Sequence, residues 1–242
     1  MAAALVAVSL SGVAGAANAG KFDYKVDRFA DVEVLRYKVP EFETLSLKQK
    51  TLVYYLTQAA LQGRDILTDQ NGRYNLAIRQ TLEAIYKNYK GDKESTDYKG
   101  FLLYLKQIWF ANGIHHHYST DKFTPAFSEK FFRTEVAKLP KGTLPLSKGQ
   151  SAKAFVDELV PVIFDSTVMA KRVNQESGKD LILTSANNYY YGITQPEVEA
   201  FYAKLKDPAD QTPISYGLNS RLVKKNGKVV EETYKIGGRY SA

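Results

Sequence analysis

The sequence has no cysteine, two methionines, one tryptophan and three histidines, and the histidines are consecutive at His115, His116 and His117. Without cysteine the chain forms no disulfide, builds no thiolate zinc site and offers no thiol nucleophile. The serine elbow G-x-S-x-G is missing, as are the phosphate loops G-x-G-x-x-G and G-x-x-x-x-G-K-[ST]. The chain therefore carries no motif for an activated serine or for nucleotide phosphates. No run of a single charge sign stands out: 33 Lys and Arg are interleaved with 26 Asp and Glu, for a net charge of +7. That distribution serves solubility and a mild attraction for anions, and no nucleic-acid partner is expected from it.

The first residues carry almost no charge. Ala2 to Ala17 is small and apolar, Ala17-Asn18-Ala19 fits the small-x-small pattern cleaved from export signals, and charged sequence begins at Lys21. The run is too short and too rich in alanine for a transmembrane helix, so no stable membrane insertion is expected. Residues 1–19 are read as a signal-peptide-like leader of a protein exported to the periplasm. A basic segment normally precedes such a core, which places the expected start upstream. The alternative, a disordered alanine-rich leader, leaves the protein in the cytoplasm.

Past the leader, residues 20–41 alternate loosely and end at Pro40, predicting an extended or irregular segment. Residues 42–180 are read as helical. Leu52, Val53, Leu56, Ala59 and Ala60 share a face, Ser46 with Gln49 makes a capping box, and Gly63 marks a stop. Tyr74, Ile78, Leu82, Ile85 and Tyr89 define a second helix ending at Gly91. Phe101, Leu102, Leu105, Ile108 and Trp109 define a third, from Ser95 or Thr96 to Gly113. A short helix around Ser128 to Ala137 and a Pro- and Gly-bearing connector from Leu139 to Gly149 follow. Ser151 to Val173 is helical in pattern, with Pro161 predicting a kink or a break into two helices.

From residue 181 the character changes to β. Asn187 to Ile193 reads as a tyrosine-rich strand, and Thr194 with Glu197 is a capping box opening another helix. Asn226-Gly227 between Arg221–Lys225 and Lys228–Tyr234 predicts a type I′ hairpin, because that turn needs positive φ twice. Nothing after Gly237-Gly238 would cover the edge of such a hairpin, so a truncated chain is expected. The fold class is thus α+β, a mainly helical part followed by strands.

The histidines invite a zinc reading. On a helix they would fan over roughly 200° of arc and could not converge on one ion. In an extended segment His115 and His117 share a side, but two ligands fall short of a catalytic zinc site, and no Asp or Glu sits at a motif spacing that completes one. Histidines that hydrogen-bond and stack within a loop are the expectation, with no metal bound by this chain. Glu231 and Glu232, as neighbours on a strand, face opposite ways and read as a solvated edge, not an acid/base pair. Tyr189, Tyr190 and Tyr191 fit strand and core roles, with a binding platform as the lesser alternative.

Three strings in fixed order, WFANGIHHHYSTDKF, ANNYYYGIT before a Glu-bearing helix, and ISYGLNSRLVKK, resemble the N-terminal part of dipeptidyl peptidase III. These are zinc exopeptidases of the M49 class, and the likeness is to their bacterial branch, from about Phe42 to near the end. The resemblance implies a two-lobed enzyme that releases dipeptides from the N-terminus of short peptides. Its zinc is held by an H-E-x-x-G-H helix and an E-E-x-R-x-D helix of the upper lobe, and neither motif occurs here: His117 is followed by Tyr118. The chain then corresponds to the front of the lower lobe, with residues 181–242 as the first strands of a β-barrel. Its partners would be short peptides and the remainder of the same polypeptide. By position, His117 and Tyr118 would touch the peptide, Asn112 and Gly113 would shape the turn presenting them, and Asn219 and Arg221 would fix barrel geometry. The competing expectation is a non-catalytic cell-envelope helical module that captures peptides or sugars with its tyrosines.

Overall fold

The structure is a computed structural model and describes residues 22–212 and 216–235. The expected leader and the Gly237-Gly238 stretch lie outside these residues. The chain divides into two units, Met1–Pro40 and Glu41–Ala242. In the first, the segment expected to be extended or irregular is a hairpin of β1 (Lys25–Phe29) and β2 (Val32–Leu35), turned at Ala30 with φ 46. Arg36 closes its base, its amide donating to Tyr24 O at 2.8 Å and its Nε to Asp23 O at 2.6 Å.

In the second unit, a 3₁₀ turn at Pro40–Thr44 leads to α1 (Leu47–Gln62), which opens on the expected capping box: the Ser46 amide donates to Gln49 Oε1 at 2.9 Å and the Gln49 amide to Ser46 Oγ at 3.4 Å. The Leu52–Leu56 face aligns as anticipated, yet no residue of α1 is buried. Gly63 ends α1 as expected, its amide donating to Ala60 O at 3.2 Å as the cap. It keeps right-handed dihedrals, φ −70 and ψ −12, and the chain runs straight into α2 (Arg64–Asn71). A polar composition hid α2 from periodicity, and its buried residues are Thr68, Asp69 and Gln70.

Helices α3 (Asn75–Asn88), α4 (Thr96–Ala111), α5 (Glu129–Ala137) and α6 (Ala152–Phe164) form the main core. Ile78 and Leu82, Phe101 and Ile108, Phe132, and Leu159 with Ile163 meet in one buried cluster. Each such side chain contributes roughly 1.5–3 kcal/mol. A helix is not resumed after Phe164. Pro161 O accepts the Asp165 amide at 3.1 Å, and Val168 and Met169 lie in turns instead of the predicted helix. Among the described residues no helix is long and apolar enough to cross a membrane.

The β part comprises a short α7 (Leu181–Thr184), β3 (Tyr190–Tyr191), α8 (Gln195–Ala203), β4 (Ser220–Lys225) and β5 (Lys228–Thr233). The sheet order is β3-β4-β5, with β3 parallel and β5 antiparallel to β4. Asn226 at φ 50 and Gly227 at φ 75 make the predicted turn. The described strands form an open sheet, and the fold is mixed α+β.

A polar junction ties this sheet to α2. Asp69 Oδ2 accepts Asn188 Nδ2 at 3.1 Å and the Tyr234 hydroxyl at 3.3 Å, while Asn188 Oδ1 accepts Arg221 at 3.0 Å. Arg221 in turn pairs with Glu232 at 2.8 Å. Glu232 is therefore no solvated edge carboxylate. Lys225 and, after it, Arg221 hold its carboxyl below the usual range, while Glu231 accepts the Ser220 hydroxyl.

Gly100 sets how closely the chain crosses α4. A Cβ there would lie 2.0 Å from the Ala126 carbonyl oxygen. That approach lets Phe127 set its ring edge-on to Phe101 and Tyr104, at 5.8 and 5.6 Å. Gly100→Ala is expected to lower the urea-unfolding free energy by about 2 kcal/mol or more, because backbone must move. A midpoint equal to that of the native chain would show that the crossing is loose.

Candidate functional site

The candidate site grows from the C-terminal end of α4. Asn112 adopts the left-handed conformation, φ 53, and its amide donates to Ile108 O, ending the helix one residue before the predicted glycine. Gly113 follows at φ 153, where a Cβ would lie 2.2 Å from Asn75 Nδ2. Only glycine suits both the dihedral and the gap. Asn75 Oδ1 accepts the Ile114 amide at 3.3 Å, and Asn71 Nδ2 donates to the Asn112 carbonyl at 3.1 Å. Thus α2 and α3 hold the turn that presents the histidines.

The segment then doubles back on itself. Phe123 N donates to Ile114 O at 2.8 Å and His116 N to Asp121 O at 2.7 Å, with Thr120 in the left-handed region at φ 63. The returning limb pairs with an extended strap: Lys122 N donates to Ala170 O at 3.1 Å and Arg172 N to Thr120 O at 2.9 Å. Side chains reinforce the pairing through a Lys171–Asp121 ion pair. Arg172 clamps the loop further, donating to Asn71 Oδ1 and to the His117 carbonyl, each at 3.2 Å.

The three histidines take three different roles. His115 is 3% exposed, and its Nε2 lies 2.7 Å from Met169 O. A carbonyl can only accept, so Nε2 carries the proton and Nδ1 is buried without a partner among the described residues. Burial pushes the imidazole pKa down to about 4, against the Met169 hydrogen bond, with the Lys122 and Arg172 charges adding to the depression. His116 Nδ1 accepts the amides of Tyr118 at 3.2 Å and Ser119 at 3.1 Å, so that nitrogen is unprotonated. His117 is held by rings: Phe110 edge-on at 4.9 Å, His116 at 4.4 Å and Tyr118 at 4.3 Å.

Sequence reasoning named Asn112, Gly113, His117 and Tyr118, and the structure brings all four into one turn and loop. It did not find Asn71, Asn75, Arg172 or Lys122, whose ammonium donates to Asp165 O at 2.6 Å and Val168 O at 2.9 Å. These residues come from three separate stretches, and no local pattern marks them. The outcome is a fixed surface of aromatic rings. Tyr118 is 84% exposed at its crest, and Phe110 and His117 flank it.

The three histidines differ in what holds them. One is bonded to a carbonyl in the interior, one accepts two amides at Nδ1, and one packs edge-on or tilted against neighbouring rings. Among the described residues no group of three or more His, Asp or Glu could hold an ion. Chemically, the surface is suited to packing apolar and aromatic groups and to hydrogen bonding through the His117 ring. No protein-family model matches the chain, and neither does any curated protein.

His115 links this site to pH. Its folded-state pKa of about 4 lies below the unfolded value of about 6.5, so the unfolded chain binds the proton first. Its contribution is intact above pH ~6.5 and is lost as pH falls toward 4. Between pH 7.5 and pH 5 this amounts to about 2 kcal/mol. Urea unfolding at both values is expected to show that loss in the native chain and a correspondingly smaller one in His115→Gln. Equal pH dependence of the two proteins would count against a buried neutral His115.

Proposed function

We propose that this chain is the front part of the lower lobe of a dipeptidyl peptidase III-like exopeptidase, exported to the periplasm, and that the aromatic loop is a wall of its peptide-binding cleft. The observation supporting this most strongly is the Tyr118 ring, exposed yet tilted against His117 at 4.3 Å, on a loop clamped by Arg172 and by α2 and α3. A rigid aromatic mount contributes contact area at small entropic cost. The His117 ring packs beside Tyr118 at 4.3 Å, and an imidazole can hydrogen-bond an extended peptide backbone.

In this reading the open sheet β3-β4-β5 is the beginning of a β-barrel, with the Arg221–Glu232 pair and the Asn219 carbonyl, which accepts the Tyr234 amide at 2.9 Å, setting its geometry. Zinc, which would activate water for peptide hydrolysis, belongs to H-E-x-x-G-H and E-E-x-R-x-D segments of the remainder of the polypeptide. This chain's own share is to bind and orient the peptide.

The decisive observation is the reading frame downstream of Ala242. Continuation into H-E-x-x-G-H supports the exopeptidase, and the purified chain alone is expected to release no dipeptide. Robust chelator-sensitive release by this chain would sink the assignment. In the continued enzyme, Tyr118→Ala is expected to raise KM about five- to tenfold with kcat little changed, since a wall contact acts on bound substrate and transition state alike. An unchanged KM removes Tyr118 from the cleft.

A further inference from the structure

The strap that holds the aromatic loop has a second edge, and a cleft opens beside it. Ala186 N donates to Lys171 O at 2.9 Å and Asn187 N to Arg172 O at 3.1 Å, so Ala170–Arg172 is the middle ply between the loop and the segment leading to β3. The cleft, about 760 Å³, lies between Thr167–Asn174 and Ile182–Ile193, with Arg73 at its wall. Met169, Ala170 and Lys171 thus border both features.

The walls of this cleft are uneven in charge. They carry Arg73 and Lys171 and no aspartate or glutamate. Lys171 is neutralised by Asp121, which leaves Arg73. Its guanidinium sits over the Tyr74 ring at 4.7 Å and the Tyr191 ring at 5.8 Å, shares a side-chain hydrogen bond with the Tyr74 hydroxyl, and makes no ion pair among the described residues. The other cation over Tyr191, Arg221, is committed to Glu232 and Asn188. Glu158, the carboxylate that influences Tyr74 together with Arg73, accepts from Gln150 Nε2 at 3.0 Å and is not part of the cleft wall.

A guanidinium has five N–H donors, so one hydrogen bond to the Tyr74 hydroxyl leaves an edge for a planar acceptor, and a carboxylate matches that edge with two parallel hydrogen bonds. Resting on the peptide-binding reading of the neighbouring loop, we propose that this cleft receives the C-terminal end of the bound peptide and that Arg73 anchors its free carboxylate. Such an anchor favours short peptides, because the carboxylate must lie within reach of the loop across one strap. The tyrosines position the cation, and Tyr191 at the mouth covers the ion pair that forms.

Isothermal titration of the full chain with Ala-Ala-Ala-Ala and with its C-terminal amide tests this at low salt. The free acid is expected to bind about tenfold tighter or better than the amide. Arg73→Gln is expected to abolish the difference by weakening the free acid far more than the amide. If both peptides bind the native chain equally, the carboxylate anchor is overturned and the peptide reading stands. If neither binds, both fall. If Arg73→Gln keeps the discrimination, Arg73 is not the anchor. The acid-against-amide comparison in the native chain decides the matter even where the variant fails to fold.

Discussion

An extended backbone has two hydrogen-bonding edges, and Ala170–Arg172 uses both. One edge holds the return limb of the histidine loop, and the other holds the residues that lead into the tyrosine strand. The positive φ of Met169, 52°, turns the chain into this strap and aims the Met169 carbonyl at His115. Arg172 then reaches past the strap to Asn71 and the His117 carbonyl. Loop, cleft and β part are therefore arranged about three residues of irregular backbone. Unpaired buried amides are costly, so the strap cannot shift by one residue without stranding donors on both sides.

Much of the helical architecture was legible because it obeys local rules. Ser46 with Gln49, Thr194 with Glu197, and Asn226-Gly227 each satisfy a backbone requirement within four residues, and each sits where the pattern put it. What escaped was nonlocal or polar. Helix α2 buries Thr68, Asp69 and Gln70, so its inward face carries no apolar stripe. Asp69 is tolerated there because Asn188 and Tyr234, more than a hundred residues away, donate to it. The helix expected beyond Phe164 fails for the same reason: Lys122, Thr120 and the 186–187 backbone compete for its peptide groups.

The site was legible in part. Spacing alone argued that three adjacent histidines do not converge, and His115 does turn inward to Met169 O while the His116 and His117 rings lie side by side at 4.4 Å. Which one would be buried was not readable, because the Met169 carbonyl that receives His115 lies 54 residues on. Asn112-Gly113 as a turn was visible from residue type, whereas the reason glycine is needed, the Asn75 side chain 2.2 Å from a would-be Cβ, is a tertiary fact. Arg73 gave no signal at all in the sequence. Its meaning depends on Tyr191, which the fold brings over it.

Helix α1 has a practical corollary. Leu52 and Leu56 lie on one side of it and Tyr54 and Leu61 on the other, all exposed. No single flat partner could cover both sides of such a cylinder; it has the surface of a central rod, not of an outer rib. In dilute aqueous buffer that rod is a source of stickiness. Titrations of the chain are accordingly best read against its own self-association, with protein concentration varied as deliberately as ligand.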